Sequence, residues 1–211
     1  MIDFFNENRR NAYFCGEILY EQRMISIFDD MSQITENEVQ RLLPLVDAQR
    51  REMALRYKFL FGQYACLKSW TMLKELLEPL KISDLKMDYN EHSKPYFVHH
   101  PEVFFNLSHC KNGIAVVVDN APVGIDIESF HRENEALVQR TMNADEIEVI
   151  RSASCPTAAF TQLWTMKEAV VKLRGTGITD DLHGILDGCG YRLDTHLNLE
   201  KQYAWTVAYT A

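Results

Sequence analysis

The chain has 211 residues, 46% of them hydrophobic and 25% charged, a composition typical of a soluble globular protein with a sizeable core. Its 22 basic and 30 acidic residues give a net charge of −8, which argues against nucleic acid as a general partner because such proteins need a basic surface. No apolar run approaches the roughly 20 residues of a membrane span, and the N-terminus lacks a signal-peptide pattern, so we expect a cytoplasmic protein with no membrane partner.

The N-terminal part of the sequence predicts a strand followed by a long helical region. The strand is expected at residues 13–20, and a polar stretch then runs to residue 37. From about residue 47 to residue 77, apolar and aromatic residues recur every three or four positions, as on one face of a helix. Gly62 is expected to kink or divide this region, and residues 89–98 are expected to be extended.

The rest of the sequence predicts a mixture of strands and helices. Residues 103–107 and 114–118 form a hairpin signal, and further strands are predicted at 123–127 and 203–209. Helices are predicted at 133–150 and at 159–173, the second ending at the glycines that follow it. A boundary near Pro122 would divide the chain into two α+β lobes, residues 1–121 and 122–211, with a site between them.

Two carboxylates lie in the segment Val-Gly-Ile-Asp-Ile-Glu, residues 123–128. Alternate side chains of a strand point to opposite faces, so Asp126 and Glu128 would share one face, about 7 Å apart. Carboxylates in this arrangement suit Mg²⁺, which completes its octahedron with water and substrate phosphate. The alternative interpretation is a half-buried strand with a solvated acidic face.

A second candidate segment is the predicted helix at residues 163–173. Its core stripe is expected to consist of Leu163, Met166, Val170 and Leu173. Glu168 and Lys172 lie four residues apart on another face. They form either a surface ion pair, or a functional pair in which Glu168 is a metal ligand or base and Lys172 contacts phosphate.

Ser108 and His109 follow one another at the end of a predicted strand. Neighbouring side chains on a strand point apart, which argues against a Ser-His hydrolase dyad. A histidine that leaves the sheet can instead donate a hydrogen bond to a phosphate.

A cluster of basic residues interrupts the otherwise acidic chain. Between residues 50 and 74 the only acid is Glu52, and the basic residues are Arg50, Arg51, Arg56, Lys58, Lys68 and Lys74. We call these six the basic island. It is either a solvated helix face or a surface that recognises a multiply phosphorylated nucleotide. The sequence has no glycine-rich phosphate loop, so side chains and a metal would have to bind any phosphate.

The order of four motifs resembles that of the Sfp-type 4′-phosphopantetheinyl transferases. The motifs are S-K-P at 93–95, F-N-L-S-H at 105–109, V-G-I-D-I-E at 123–128, and L-W-T-M-K-E at 163–168 followed by Lys172. Residues 140–146 also resemble the segment that this family places between its last two motifs. The resemblance spans approximately residues 45–180.

The resemblance implies a monomeric pseudo-dimer of two similar α+β lobes, with coenzyme A and Mg²⁺ bound between them. It implies transfer of the phosphopantetheine arm of coenzyme A to a serine of an apo acyl or peptidyl carrier protein, with release of adenosine 3′,5′-bisphosphate. Asp126, Glu128 and Glu168 would hold the metal, and Glu168 or a metal-bound water would be the base. The resemblance also places Lys172 and His109 on phosphate, and Lys94 and Ser108 near the nucleotide. It does not align the N-terminal basic contacts of the family residue by residue, and Arg50, Arg56 and Lys58 are the candidates that the sequence offers for them.

The sequence departs from the family pattern at two positions. Ser93 stands where the family often has glycine, and Thr141-Met142 stands where it has an aromatic pair. We expect the carrier protein to dock on an apolar patch around Thr141 and Met142, with Arg140 at its rim.

Two alternative functions use the same residues. They are a Mg²⁺-dependent hydrolase of nucleotide diphosphates and a non-catalytic module that binds coenzyme A or a carrier protein.

Overall fold

Two three-stranded antiparallel sheets, each covered by helices on its outer face, form most of the protein. The structure, a computed structural model, describes residues 23–130, 135–177 and 182–210, so the predicted strand at 13–20 lies outside the described residues. The mixture of helices and sheets confirms the predicted α+β class. No helix within these three segments is both long and apolar enough to cross a bilayer.

The elements of the two halves are as follows. The first half contains strand β1 (Met24–Phe28), helices α1 (Glu36–Leu42), α2 (Ala48–Leu55) and α3 (Leu60–Leu77), and strands β2 (Met87–Tyr89), β3 (Pro95–Phe97), β4 (Phe104–Cys110) and β5 (Gly113–Asp119). The second half contains strand β6 (Val123–Ser129), helices α4 (Glu135–Thr141), α5 (Ala144–Ser152) and α6 (Pro156–Arg174), and strands β7 (Tyr191–Asn198) and β8 (Tyr203–Thr210).

Both sheets are built in the same order along the chain. A first strand is followed by three α-helices, of which the last is the longest, and later by a hairpin whose last strand pairs with the first strand. The resulting orders are β1-β5-β4 and β6-β8-β7. A separate two-stranded hairpin, β2-β3, precedes the first sheet's own hairpin.

The apolar residues of the two sheets lie in three layers of core, because successive side chains of a strand point to opposite faces of its sheet. Val116 and Val118 of β5 pack with α3, whereas Val117 points the other way and packs against Ile125 and Ile127 of β6. The outer face of the second sheet packs against α6 through a further cluster that includes Val170 and Ala208. This alternation, which follows from the two-residue period of strands, brings the two sheets together face to face.

Strands β4 and β6 are joined by side chains and not by a backbone ladder. The Asn106 Oδ1 accepts a hydrogen bond from the Ile125 amide at 2.8 Å, and the Ser108 Oγ accepts one from the Ile127 amide at 3.3 Å. These contacts satisfy buried backbone donors that would otherwise be costly to leave unpaired. They also fix β6 relative to β4.

Helix α6 lies directly on the backbone of β6 at Gly124. A Cβ at this position would lie 2.2 Å from the Ala169 carbonyl oxygen and 2.3 Å from the Leu173 amide nitrogen. Only glycine allows this approach, so the spacing between β6 and α6 depends on the glycine of the G-I-D-I-E motif.

The structure corrects several predictions in the first half. The long helical region divides at residues 56–59, before Gly62, which lies inside α3. The interruption leaves Tyr57 43% exposed, so the predicted continuous apolar face does not form. The region assigned as polar up to residue 37 contains β1 and the start of α1.

The predictions for the second half agree more closely with the structure. Strands β6 and β8 and helix α6 are confirmed, and Gly175 ends α6 in the left-handed conformation, with φ of 65°. Strand β7 was not predicted, and the region at 133–150 contains two helices. Along α6, Val170 and Leu173 are buried as expected, but Leu163 and Met166 are only half-buried.

Candidate active site

Asp126 is the centre of a polar cluster contributed by β4, β6 and α6. Its side chain is almost completely buried, at 2% exposure. The Ser108 hydroxyl donates to Asp126 Oδ1 at 2.8 Å, and the Lys172 ammonium donates to the same oxygen at 2.6 Å and to Ser108 Oγ at 2.9 Å. Three residues singled out in the sequence are therefore in direct contact, and the interpretation of β6 as a strand with a solvated acidic face is wrong for Asp126.

The second carboxylate oxygen of Asp126 is the unusual atom of this cluster. Oδ2 is buried and has no hydrogen-bond partner in the described part of the chain. Buried polar atoms are nearly always paired, and a buried carboxylate oxygen without a partner is costly. Such an oxygen is suited to binding a cation.

Glu168 adds a second carboxylate one helical turn before Lys172. Burial raises the pKa of Glu168, the negative charge of Asp126 raises it further, and Lys172 opposes both effects. Two carboxylates thus interact with a single lysine. A divalent cation would relieve their mutual repulsion, so Asp126 and Glu168 fit the magnesium site that the sequence predicts.

Glu128 is the third carboxylate that the sequence assigns to this site. It follows Asp126 by two residues on β6 and is half-buried. Among the residues that the structure describes, no three His, Cys, Asp or Glu side chains converge on one point as a metal-binding group. The three-carboxylate assignment of Asp126, Glu128 and Glu168 therefore stays a prediction.

His109 lies beside the cluster, with its ring against that of Phe61. The two ring centroids are 5.7 Å apart in an edge-to-face arrangement. Partial desolvation, and then the positive charge of Lys172, lower the pKa of His109. The imidazole is therefore expected to be neutral at neutral pH and to act as a hydrogen-bond donor instead of a cation.

Lys94 binds backbone carbonyls of the protein, whereas the resemblance places it near the nucleotide. Its ammonium donates to the backbone carbonyls of Val123, Lys172 and Leu173 at 3.1, 2.6 and 3.1 Å. Burial lowers its pKa to about 8. The side chain also borders a cavity of about 240 Å³ between β3 and the end of α6, lined in part by Tyr96 and Phe104.

Of the six residues of the basic island, Arg50 is buried, Lys68 is half-buried and the other four are exposed, so their role in phosphate binding stays a prediction. Arg50 is buried and donates to the Cys66 carbonyl and to the Ser69 hydroxyl. Arg56 pairs on the surface with Glu52 at 2.6 Å. Arg51 and Lys74 donate to backbone carbonyls, Lys68 lies over the ring of Phe28, and Lys58 is exposed.

The expected docking patch around Thr141 and Met142 is wrong. Thr141 is 3% exposed and Met142 is 1% exposed, because Met142 packs in a core cluster with Val138 and Phe160. The segment that the sequence placed on the surface therefore belongs to the interior of the second half.

A second lysine of α6 was not singled out in the sequence. Lys167 is completely buried and forms an ion pair with Glu146 at 2.8 Å, and its ammonium also donates to the Leu182 carbonyl at 2.7 Å. Glu146 completes a capping box at the start of α5 with Asn143. The N-x-x-E spacing of that capping box was the available sequence signal.

Comparisons of the sequence with known proteins point to one family. A family profile described as "4′-phosphopantetheinyl transferase superfamily" matches residues 122–207. The chain is 33% identical over 147 residues to 4′-phosphopantetheinyl transferase psf-1 of Bacillus pumilus, an alignment that covers 67% of this chain but only 63% of psf-1. It is also 24% identical to 4′-phosphopantetheinyl transferase Sfp of Bacillus subtilis, over 69% of this chain and 67% of Sfp, and 37% identical to 4′-phosphopantetheinyl transferase AcpT of Salmonella typhimurium, over 49% and 55%.

Proposed function

The chain belongs to the 4′-phosphopantetheinyl transferase superfamily, and we propose that it transfers the 4′-phosphopantetheine group of coenzyme A to a carrier protein. The acceptor is a serine of an apo acyl or peptidyl carrier protein, and the second product is adenosine 3′,5′-bisphosphate. The observation that carries the proposal is the buried, unpaired oxygen of Asp126 beside Lys172 and Glu168.

Asp126 and Glu168 would hold Mg²⁺, with Glu128 as the third predicted ligand. When bound, the metal neutralises the pyrophosphate of coenzyme A and polarises the phosphorus that is attacked. Lys172 already binds Asp126 and Ser108 through two of its N–H groups. Its remaining N–H group and its charge would stabilise the bisphosphate as it leaves.

Two further side chains would handle the proton and the phosphate. The raised pKa of Glu168 suits a general base, which accepts the proton of the attacking serine and typically contributes about 10²–10⁴-fold to the rate. His109, neutral because its pKa is lowered, would donate a hydrogen bond to a phosphate oxygen. Lys94 carries no such role in this proposal.

The proposal includes a pseudo-dimer whose lobes are residues 1–121 and 122–211 and whose site lies between them. It is supported by the shared order of strand, helix and hairpin in the two sheets. It is also supported by the short connection between β5 and β6, which contains the predicted boundary near Pro122. Because one chain would supply both lobes, we propose that the protein acts as a monomer.

An intact-mass measurement separates this function from the alternatives. The protein is incubated with coenzyme A, Mg²⁺ and an apo carrier protein, and a transferase adds about 340 Da to the carrier through a phosphodiester on serine. Cleavage of coenzyme A without a change in the carrier mass would instead indicate a hydrolase. A carrier and a coenzyme A pool that both stay unchanged would indicate a binding module.

A further inference from the structure

We propose that Lys94 is a positioning residue whose ammonium fastens the end of α6 to β6 and so holds Lys172 against Asp126. The inference rests on the proposed function, because it concerns the residues assigned to transfer. It differs from the role that the sequence suggested for Lys94, a contact near the nucleotide.

The ammonium of Lys94 is fully used within the protein. It has three N–H donors, and three backbone carbonyls lie within hydrogen-bond distance, those of Val123, Lys172 and Leu173. Two of the carbonyls belong to the last turn of α6, where carbonyls have no partner inside the helix. A cation at this end is also favoured by the helix dipole.

The hairpin that carries Lys94 is itself fixed to the helix end. The Asn90 side chain donates to the Gly175 carbonyl at 3.1 Å and accepts from the Lys94 amide at 2.8 Å. A Cβ on Gly175 would lie 2.9 Å from Lys94 Cδ. The loop between β2 and β3, which belongs to the first half of the protein, therefore binds the C-terminus of α6 in the second half.

Both elements held by Lys94 carry residues of the candidate site. Lys172 offers its carbonyl to Lys94 while its side chain binds Asp126 at 2.6 Å. Val123 begins the strand on which Asp126 lies three residues later. A shift of α6 along β6 would therefore separate Lys172 from Asp126, and misplacement by 1 Å can cost about 10²-fold in rate.

The test compares Lys94→Met with Lys86→Met, a control at an exposed lysine of the same half to which no role at the site is assigned. For Lys94→Met we expect kcat to fall by about 10²-fold, with the KM for coenzyme A unchanged. The control is expected to leave both constants unchanged. A higher KM for coenzyme A at unchanged kcat, with an effect that weakens as salt is raised, would overturn the proposal and make Lys94 a phosphate ligand.

A second measurement does not depend on activity. In ¹H–¹⁵N spectra of the wild-type protein, the protected ammonium of Lys94 should give a slowly exchanging signal, assigned by its loss in Lys94→Arg. The signal should stay in place when coenzyme A is added. A missing signal, or one that coenzyme A shifts strongly, contradicts the proposal, whereas a wild-type protein that modifies no carrier contradicts only the proposed function.

Discussion

Helix α6 carries two lysine–carboxylate pairs that differ in how completely their atoms are satisfied. In the pair of Lys167 and Glu146 the lysine is fully buried, and its ammonium also binds the Leu182 carbonyl. The second oxygen of Glu146 accepts a hydrogen bond from the Asn143 amide at 2.7 Å. This pair has no unused acceptor to offer a ligand, so its role is to hold α5, α6 and the segment after α6 together.

The pair of Lys172 and Asp126, five residues further along α6, leaves an acceptor unused. The Lys172 side chain is 27% exposed, and Asp126 keeps one buried oxygen without a partner. A buried ion pair alone therefore does not mark a functional site. The feature that distinguishes the candidate site is the unpaired oxygen of Asp126, which lies near a second carboxylate, Glu168, and near solvent.

The pair of Lys167 and Glu146 is expected to be essential for stability. Lys167→Met leaves the Glu146 carboxylate without its buried partner, so we expect the free energy of unfolding to fall by about 3–5 kcal/mol. Chemical denaturation followed by circular dichroism measures it. Arg151→Met, which removes an exposed partner of Glu135, is the control and should change stability by less than about 1 kcal/mol. Equal effects of the two substitutions would refute the distinction.

Asp126→Asn tests the other pair. The substitution keeps the shape of the side chain but removes the charge that Lys172 and a cation would share, so we expect transfer to fall by about 10²–10³-fold. The free energy of unfolding should change little, since a neutral amide is cheaper to bury than a half-paired carboxylate. Asp194→Asn, at an exposed position on β7, is the matched control. Turnover near that of the wild type would remove Asp126 from the mechanism.

The half-buried carboxylate of Glu168 makes the stability of the protein depend on pH. Its folded pKa is raised above the ordinary value of 4.5, so the folded state binds more protons than the unfolded state between the two pKa values, and stability falls as pH rises through that window. Glu168→Gln removes this cost. The variant should therefore be more stable than the wild type at neutral pH, with the difference disappearing below pH 4.5.

Denaturation curves across this pH range measure the effect, with Glu148→Gln as a control on α5. A variant less stable than the wild type at neutral pH would mean that the Glu168 carboxylate is favourably bound in the folded protein. The account of Glu168 as a carboxylate destabilised by burial and by Asp126 would then be wrong.

The smallest expected effect concerns the loop that presents Lys94. Ser93 has φ of 65°, in the left-handed region that costs residues other than glycine about 1–2 kcal/mol. Ser93→Gly should therefore raise the free energy of unfolding by about 0.5–1 kcal/mol after the larger unfolded-state entropy of glycine is included. Ser83→Gly, at an exposed serine without positive φ, should lower stability slightly. A decrease for Ser93→Gly would show that the loop is not strained.

The sequence predicted best where a motif coincides with one regular element. The G-I-D-I-E segment forms β6 and the W-T-M-K-E segment lies in α6, because both have the period of their structure. The structure also explains why the family often has glycine where this chain has Ser93. The loop requires a left-handed backbone conformation at this position, and glycine adopts that conformation most easily.

Predictions failed where the role of a residue depends on distant parts of the chain. The docking patch expected at Thr141 and Met142 is an example, since tertiary packing buries both residues. The contacts of Lys94 join residues 78 and 79 positions apart, a separation that no local pattern encodes. For the same reason the pair of Lys167 and Glu146 could not be found from helical periodicity alone.

Binding of Mg²⁺ in the presence of coenzyme A, measured by titration calorimetry, tests the central claim most directly. The account predicts that the wild type and Asp194→Asn bind the ion equally well, whereas Asp126→Asn binds it at least about 10-fold more weakly. Equal Mg²⁺ affinity in Asp126→Asn and the wild type would contradict the claim that the unpaired oxygen of Asp126 is a metal ligand.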